Sequence, residues 1–167
     1  MADLEFRLEH QKQSQWCWAA VAISICRFYS DQNWPSQCQL VNDVFSGTSG
    51  GDCCQDGSSS ECDMPWDLRD VLNRAKHLQQ PVRGVISFQD LTNEIEARRP
   101  VAARILLADM TAHFVVLVGC SEDDDGAQWV KVADPSDASG SLTTIPVSAF
   151  LNDYKPGANW DQSYFTK

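Results

Sequence analysis

Long apolar runs and an excess of basic residues are both missing from this sequence. No apolar stretch approaches the roughly 20 residues that span a bilayer, and residues 1–6 lack the basic and apolar regions of a signal peptide. Thirteen Lys and Arg residues against twenty-three Asp and Glu residues give a formal charge of −10, which repels nucleic-acid phosphates and anionic membranes. We therefore expect a soluble chain with neither a nucleic-acid nor a membrane partner.

Signals for a second domain are lacking as well, because no internal repeat or linker divides the 167 residues. The chain is 43% hydrophobic and 22% charged, a composition typical of a globular protein with a buried core. The pattern changes from helical to β-rich near Pro81. We predict one α+β domain over 1–167, with a mainly helical lobe over 1–80, a mainly antiparallel β lobe over 81–167 and a cleft between them.

The apolar spacing predicts three helices. They cover 16–29, which is apolar on nearly every side, 65–78 behind Pro65, and 87–99 behind Ser87 as N-cap. Strands are predicted over 101–107, 113–120, 128–133 and 163–166. Four acidic residues followed by Gly126 predict a hairpin tip between the second and third of these strands.

Cysteine is frequent for a cytosolic protein and rare for a small disulfide scaffold, with seven residues in the chain. Four of them lie in or near a Gly-, Ser- and Asp-rich stretch with little apolar content: Cys38, Cys53, Cys54 and Cys62. Two disulfides there would staple the stretch, and the sequence leaves their pairing open. Zinc binding is the rival interpretation, but adjacent cysteines do not match the usual knuckle spacing, so we expect no metal. The apolar surroundings of Cys26 and Cys120 predict buried thiols.

Cys17 lies at the start of the first predicted helix. Unpaired amide N–H groups and the helix dipole favour an anion at that point, so we expect its thiol to ionise readily. A core cysteine in a Trp-rich helix is the simpler interpretation of this residue taken alone. The residues that accompany it favour a nucleophile.

Two polar residues mark the ends of neighbouring predicted strands. His113 begins one strand and Asp134 ends the next, where its carboxylate could accept a hydrogen bond from Nδ1 of the imidazole and fix its orientation. His10 and His77 are rival bases, and the polar helical surroundings of His77 predict a solvated position. Gln11, six residues before Cys17, is a candidate to donate a side-chain N–H to an oxyanion, together with the Cys17 backbone N–H.

The ordered set of these residues resembles papain-like cysteine peptidases, particularly the bacterial AvrRpt2-like group and C39-like domains. The motifs that carry the resemblance are Gln11-x5-Cys17-Trp18-Ala19-Ala20, His113-Phe114-Val115-Val116 and Val132-Ala133-Asp134-Pro135. Trp34-x3-Cys38, Cys53-Cys54, Cys62-x2-Pro65-Trp66 and the closing residues 164–167 are also similar to bacterial members. Asp134 stands where papain has Asn, so cathepsin-type substrate preferences are not carried over.

The resemblance implies a papain-like fold and peptide hydrolysis without a cofactor. Cys17 would be the nucleophile, His113 the general base, Asp134 its orienting partner and Gln11 an oxyanion donor. The sequence does not reveal the pocket for a peptide or protein substrate; Trp18 and Trp66 are candidates to contact it, although large aromatic residues near a lobe interface are more often core. The resemblance also suggests a bacterial protein that is secreted or delivered as an effector, and we expect the chain to be a monomer.

Two other functions remain open from the sequence. The same three residues serve acyl transfer to amines, as in transglutaminase-like enzymes. A papain-fold binding module that has lost catalysis is the second alternative, which the presence of all four site residues disfavours.

Overall fold

A computed structural model describes residues 2–31, 34–46 and 51–167. Within these ranges the chain forms five helices: α1 (Cys17–Phe28), α2 (Gln37–Val44), α3 (Leu68–Arg74), α4 (Phe88–Glu96) and α5 (Val147–Asn152). The same ranges contain seven strands: β1 (Ala2–Asp3), β2 (Leu78–Arg83), β3 (Val101–Leu106), β4 (Ala112–Glu122), β5 (Gln128–Ala133), β6 (Leu142–Pro146) and β7 (Asn159–Thr166). The predicted α+β class is confirmed. None of the described helices is long and apolar enough to cross a bilayer.

All strand pairings are antiparallel, and the sheet has the order β2-β7-β3-β4-β5-β6, with the short β1 paired to one end of β4. Strand β4 is buried from its second to its ninth residue, because α1 and α4 pack against it. This explains why its sequence is a continuous apolar run and does not alternate. Helix α1, which was predicted to carry the nucleophile, therefore shares one core with the sheet.

Helix α1 is buried along ten consecutive residues, from Cys17 to Cys26. A helix that is apolar on all sides is stable only inside a core, as the sequence predicted. The chain leaves it through Ser30, whose positive φ of 61° reverses the backbone. The amide of Asp31 then donates to the carbonyl of Cys26 at 2.8 Å, which caps the end of the helix.

Several elements differ from the prediction. The helix expected over 65–78 ends at Arg74, and Leu78 already belongs to β2. The predicted boundary between the helical lobe and the β lobe, after residue 80, therefore lies inside a strand. β2 and β6 form the two edges of the main sheet, where a proline and polar side chains are tolerated because one side of the strand is unpaired. Neither strand was predicted from the sequence, and β1, α2 and α5 were not predicted either. The acidic hairpin tip is confirmed by a bond from Gly126 N to Asp123 O.

Candidate active site

Cys17 is the first residue of α1 and is 6% exposed. The preceding residue, Trp16, offers no side-chain hydrogen bond to the first turn, and that turn contains no acidic residue. The unpaired amides of the helix start therefore act on Cys17 without a competing anion.

His113 and Asp134 form a hydrogen-bonded pair next to Cys17. His113 is the second residue of β4, Asp134 directly follows β5, and these adjacent strands bring His113 Nε2 to 2.7 Å from Asp134 Oδ1. The two side chains are 9% and 13% exposed. The predicted bond from Nδ1 to Asp134 is wrong: the bond uses Nε2 and leaves Nδ1 as the ring nitrogen for Cys17.

The surroundings shift the pKa values of both partners toward an ion pair. Burial alone would lower the pKa of His113, but hydrogen bonds to Asp134 and Cys17 and the negative charges of both residues raise it to about 9. Burial would raise the pKa of Asp134, but the hydrogen bond and charge of His113 and the bonds from Ser136 hold it well below its usual range. Asp134 is consequently ionised, and the imidazole favours its protonated form up to high pH.

Three further residues bind the carboxylate of Asp134, and the sequence analysis missed them. Ser136 donates to Oδ1 from its backbone N at 2.9 Å and its Oγ at 2.7 Å. The Tyr154 hydroxyl donates to Oδ2 at 2.8 Å, and Lys155 Nζ lies 3.3 Å from the same oxygen. Burial and the charge of Asp134 raise the pKa of Tyr154, so the phenol keeps the proton that it donates. The Asp-Pro-Ser turn is a local signal for Ser136, whereas nothing local identifies residues 154 and 155.

Gln11 lies beside the turn that carries Asp134, and its side-chain amide is already engaged. Nε2 donates to the carbonyls of Gln13 at 3.0 Å and Ser14 at 2.8 Å, while Oε1 is buried without a hydrogen-bond partner among the described residues. The backbone N of Gln11 donates to the carbonyl of Pro135 at 2.9 Å, which ties this segment to the turn that carries Asp134. A depression of about 310 Å³ lies alongside, lined by His10, Gln11, Lys12, Gln13, Ser14 and Ser136.

Two disulfides hold the segment that supports the start of α1. They join Cys38 to Cys54 and Cys53 to Cys62, which leaves Cys17, Cys26 and Cys120 as free cysteines. The four clustered cysteines are therefore engaged with one another and are not zinc ligands.

The residues next to Cys62 bind the segment around Cys17 directly. Trp16 Nε1 donates to the Cys62 carbonyl at 2.8 Å, and the Asp63 carboxylate accepts from Ser14 Oγ at 2.6 Å and Gln15 N at 2.8 Å. Gly57 lies against the same indole, where a Cβ would be 2.9 Å from the ring of Trp16. The stapled loop thus fixes both residues 14–16 and the direction of α1.

The two tryptophans proposed as substrate contacts lie in different surroundings. Trp18 is completely buried, donates from Nε1 to the Met64 carbonyl at 3.0 Å and packs edge-on against Phe45, so it is a core residue and cannot contact substrate. Trp66 is 38% exposed and donates to Asp70. Only Trp66 remains available as a contact.

The rival histidines are not part of the pair with Cys17. His10 is exposed and lines the depression beside Gln11. His77 lies beyond the end of α3, stacks on Tyr29 and binds Asp31, so the prediction of a solvated helical position was wrong. Its partners come from distant parts of the chain, which local sequence does not reveal.

Comparison with known proteins identifies related chains. A family model described as papain-like cysteine protease AvrRpt2 matches residues 1–155. No curated protein gives a significant match. Among solved structures, the peptidase domain of Streptococcus ComA, a bi-functional ABC transporter involved in a quorum-sensing pathway, matches with a TM-score of 0.58. The match covers 97% of this chain and 98% of that chain at 14% identity, so it supports the fold alone.

Proposed function

We propose that this chain, which belongs to the family of the papain-like cysteine protease AvrRpt2, cleaves peptide bonds with Cys17 as nucleophile, His113 as acid and base, and Asp134 as the residue that orients the imidazole. Family membership makes the chain a cysteine peptidase that acts on peptide or protein substrates. The observation that carries the assignment of residues is the buried His113–Asp134 pair beside a thiol at a helix start.

The resting state is proposed to be a Cys17 thiolate paired with a His113 imidazolium. The thiolate attacks the substrate carbonyl carbon, and the imidazolium transfers its proton to the departing amine as the C–N bond breaks. A thioester remains on Cys17. His113 then takes a proton from water, whose oxygen attacks the thioester, and the acid product leaves as the thiolate is restored. These steps require no cofactor.

The oxyanion formed in both additions would be bound by the backbone N–H of Cys17, which has no intrahelical acceptor at the first position of α1. Gln11 is proposed as the second donor. Because both of its amide hydrogens are engaged by the carbonyls of Gln13 and Ser14, the side chain must release one of these bonds when substrate binds. Gln11→Ala should then lower kcat by about 100-fold, the usual cost of removing one oxyanion donor.

The surface next to the site suggests where a substrate lies. The depression beside Gln11 is lined by polar side chains, including Lys12, and suits polar residues on one side of the scissile bond. Trp66 is a candidate apolar contact.

We also propose that the chain acts as a single monomeric domain outside the reducing cytosol of the cell that makes it. The two disulfides support this location, because such bonds persist in oxidising compartments. A bacterial protein that is secreted or delivered into another cell fits both the disulfides and the family. Size-exclusion chromatography tests whether the protein is a monomer, and fractionation of the producing cells tests its location.

A peptide-hydrolysis assay on an unfolded protein tests the assignment of Cys17. Cys17→Ala should abolish cleavage with an unchanged circular dichroism spectrum, since a smaller residue at a helix start costs little packing. Cys120→Ser is the matched control, because it alters another buried free thiol in strand β4 and should retain activity. Cleavage retained in Cys17→Ala contradicts the proposal. Addition of an amine acceptor, followed by mass spectrometry, separates hydrolysis from acyl transfer.

A further inference from the structure

A second group of cysteine, aspartate and histidine lies at the end of α1 opposite to Cys17. Cys26 Sγ, one carboxylate oxygen of Asp31 and one ring nitrogen of His77 are all within 4.8 Å of one another. Cys26 is buried, and the side chains of His77 and Asp31 are only 14% and 18% exposed. The proposed peptidase mechanism uses none of these residues.

The backbone holds the two polar members in place by the same device. Asp31 follows Ser30, which has a φ of 61°, and its N–H donates to the Cys26 carbonyl at 2.8 Å. His77 follows Lys76, which has a φ of 62°, and its N–H donates to the Leu72 carbonyl at 2.9 Å. Each residue is therefore fixed by the turn that closes a helix, so the group is pre-organised before any ligand binds.

The His77 ring is oriented so that its Nε2 faces Asp31. Nδ1 lies 2.8 Å from the Lys167 carbonyl oxygen, which can only accept, so this contact favours the tautomer with the proton on Nδ1. Nε2 lies 3.1 Å from Asp31 Oδ2, and Tyr29 stacks on the ring at 4.9 Å. A carbonyl that holds the remote nitrogen of a histidine is the usual outer contact of a metal-binding imidazole.

If Nε2 carries no proton, its lone pair faces Asp31 Oδ2, and a cation between these two atoms is then required. A second proton on the ring would meet that need, and so would a metal ion. The sulfur of Cys26 supplies a third donor of the kind that a metal ion uses and that a proton bridge does not need. The C-terminal end of α1 also carries the negative end of the helix dipole, which favours a cation.

We propose that Cys26, Asp31 and His77 bind one divalent ion of the zinc type. Sulfur, imidazole nitrogen and carboxylate oxygen are a donor set that zinc prefers. Two ligand atoms at about 2.0 Å from a tetrahedral ion are about 3.3 Å apart, close to the 3.1 Å between His77 Nε2 and Asp31 Oδ2. The sulfur lies within 4.8 Å of both atoms and would move toward the ion on binding, and a water molecule or an external donor would complete the tetrahedron. The ion would tie the end of α1 to the entry of β2.

Cobalt substitution tests this site, with every variant made in the Cys17→Ala background so that the proposed nucleophile supplies no thiolate. We expect one Co²⁺ to bind per chain with a thiolate-to-cobalt charge-transfer band in the near ultraviolet, and zinc to displace it. Cys26→Ser should remove the band. Asp31→Asn and His77→Gln should each weaken binding by more than the about 10- to 100-fold that is typical of an outer-shell change.

Cys120→Ser in the same background is the matched control, because it also replaces a buried free cysteine, and it should keep the band and the affinity. Zinc should raise Tm in this control and leave Tm unchanged in the Cys26→Ser protein, a readout that also shows whether each variant is folded. Absence of saturable cobalt binding means that a proton alone joins His77 to Asp31 and overturns the proposal. A band that persists in folded Cys26→Ser protein overturns it as well. Peptidase activity enters none of these measurements.

Discussion

Replacement of Asp134 by Asn should separate the charge of this residue from its hydrogen-bond acceptor. The Asn side-chain oxygen can still accept from His113 Nε2 at the position that is now 2.7 Å away, so the imidazole should keep its orientation. The negative charge is lost. The variant therefore isolates the electrostatic effect of Asp134 on the imidazolium.

The structure sets the size of the effect. A His113 pKa raised from 6.5 to about 9 corresponds to about 3 kcal/mol of preference for the imidazolium, shared between Asp134 and Cys17. Loss of the Asp134 charge should remove a large part of it, because burial then acts against the charged ring. In the proposed mechanism a protonated His113 protonates the leaving amine, so activity should persist to about pH 9 in the natural enzyme. In Asp134→Asn the alkaline limb should move down by about 1 to 2 pH units.

The assay is the pH profile of kcat/KM, which reports the ionisations of the free enzyme. Asp134→Ala is the control, because it removes both the charge and the acceptor and should also lower the plateau. An alkaline limb that stays in place in Asp134→Asn would refute the proposed electrostatic role. The same ring affects stability: a raised histidine pKa stabilises the fold fully below about pH 6.5, and this contribution is lost as the pH rises through about 9. The His113→Gln protein should show a smaller alkaline loss of unfolding free energy.

Three further results are expected. Tyr154→Phe should lower kcat about tenfold, leave KM nearly unchanged and shift the pH profile. The reason is that the lost hydrogen bond orients Asp134 and does not contact substrate. An unchanged pH profile would mean that the tyrosine only packs. Near neutral pH, iodoacetamide should modify Cys17 and spare Cys26 and Cys120. Burial raises the pKa of Cys26 to about 12 and also raises the pKa of Cys120. Peptide mass spectrometry distinguishes the three cysteines, and equal labelling of all three would contradict the prediction. Denatured, unreduced protein should titrate three thiols, whereas seven would rule out both disulfides.

The parts of the fold that the sequence predicted correctly are those where burial dominates. The apolar run of α1 and the continuous β4 strand have almost no alternative to the core, and their polar ends mark Cys17 and His113. Strand β6, with the sequence LTTIP, carries a weaker pattern because it is an exposed edge. The eight residues of α2 include only a few apolar positions, so its helical period is hard to detect.

Contacts between distant residues account for the rest of what was missed. Tyr154 reaches Asp134 only because the segment after α5 folds back over the turn that follows β5, and no local pattern records that approach. His77 and Asp31 are 46 positions apart and meet because two helices end at the same place. Gln11 could be selected from spacing, but the engagement of its amide by Gln13 and Ser14 depends on the path of the loop.

The stapled loop under α1 gives the sulfur atoms of this enzyme opposing redox requirements. Cys17, the proposed nucleophile, must be reduced to react, while Cys62 must stay bonded to Cys53 if the Asp63 carboxylate is to hold Ser14 and Gln15. A reducing agent that keeps the Cys17 thiol reduced therefore also reduces the Cys53–Cys62 disulfide, which supports the segment before Cys17. Turnover should pass through a maximum as the thiol concentration rises, so the strength of reductant that suits other cysteine peptidases is a poor guide for this one.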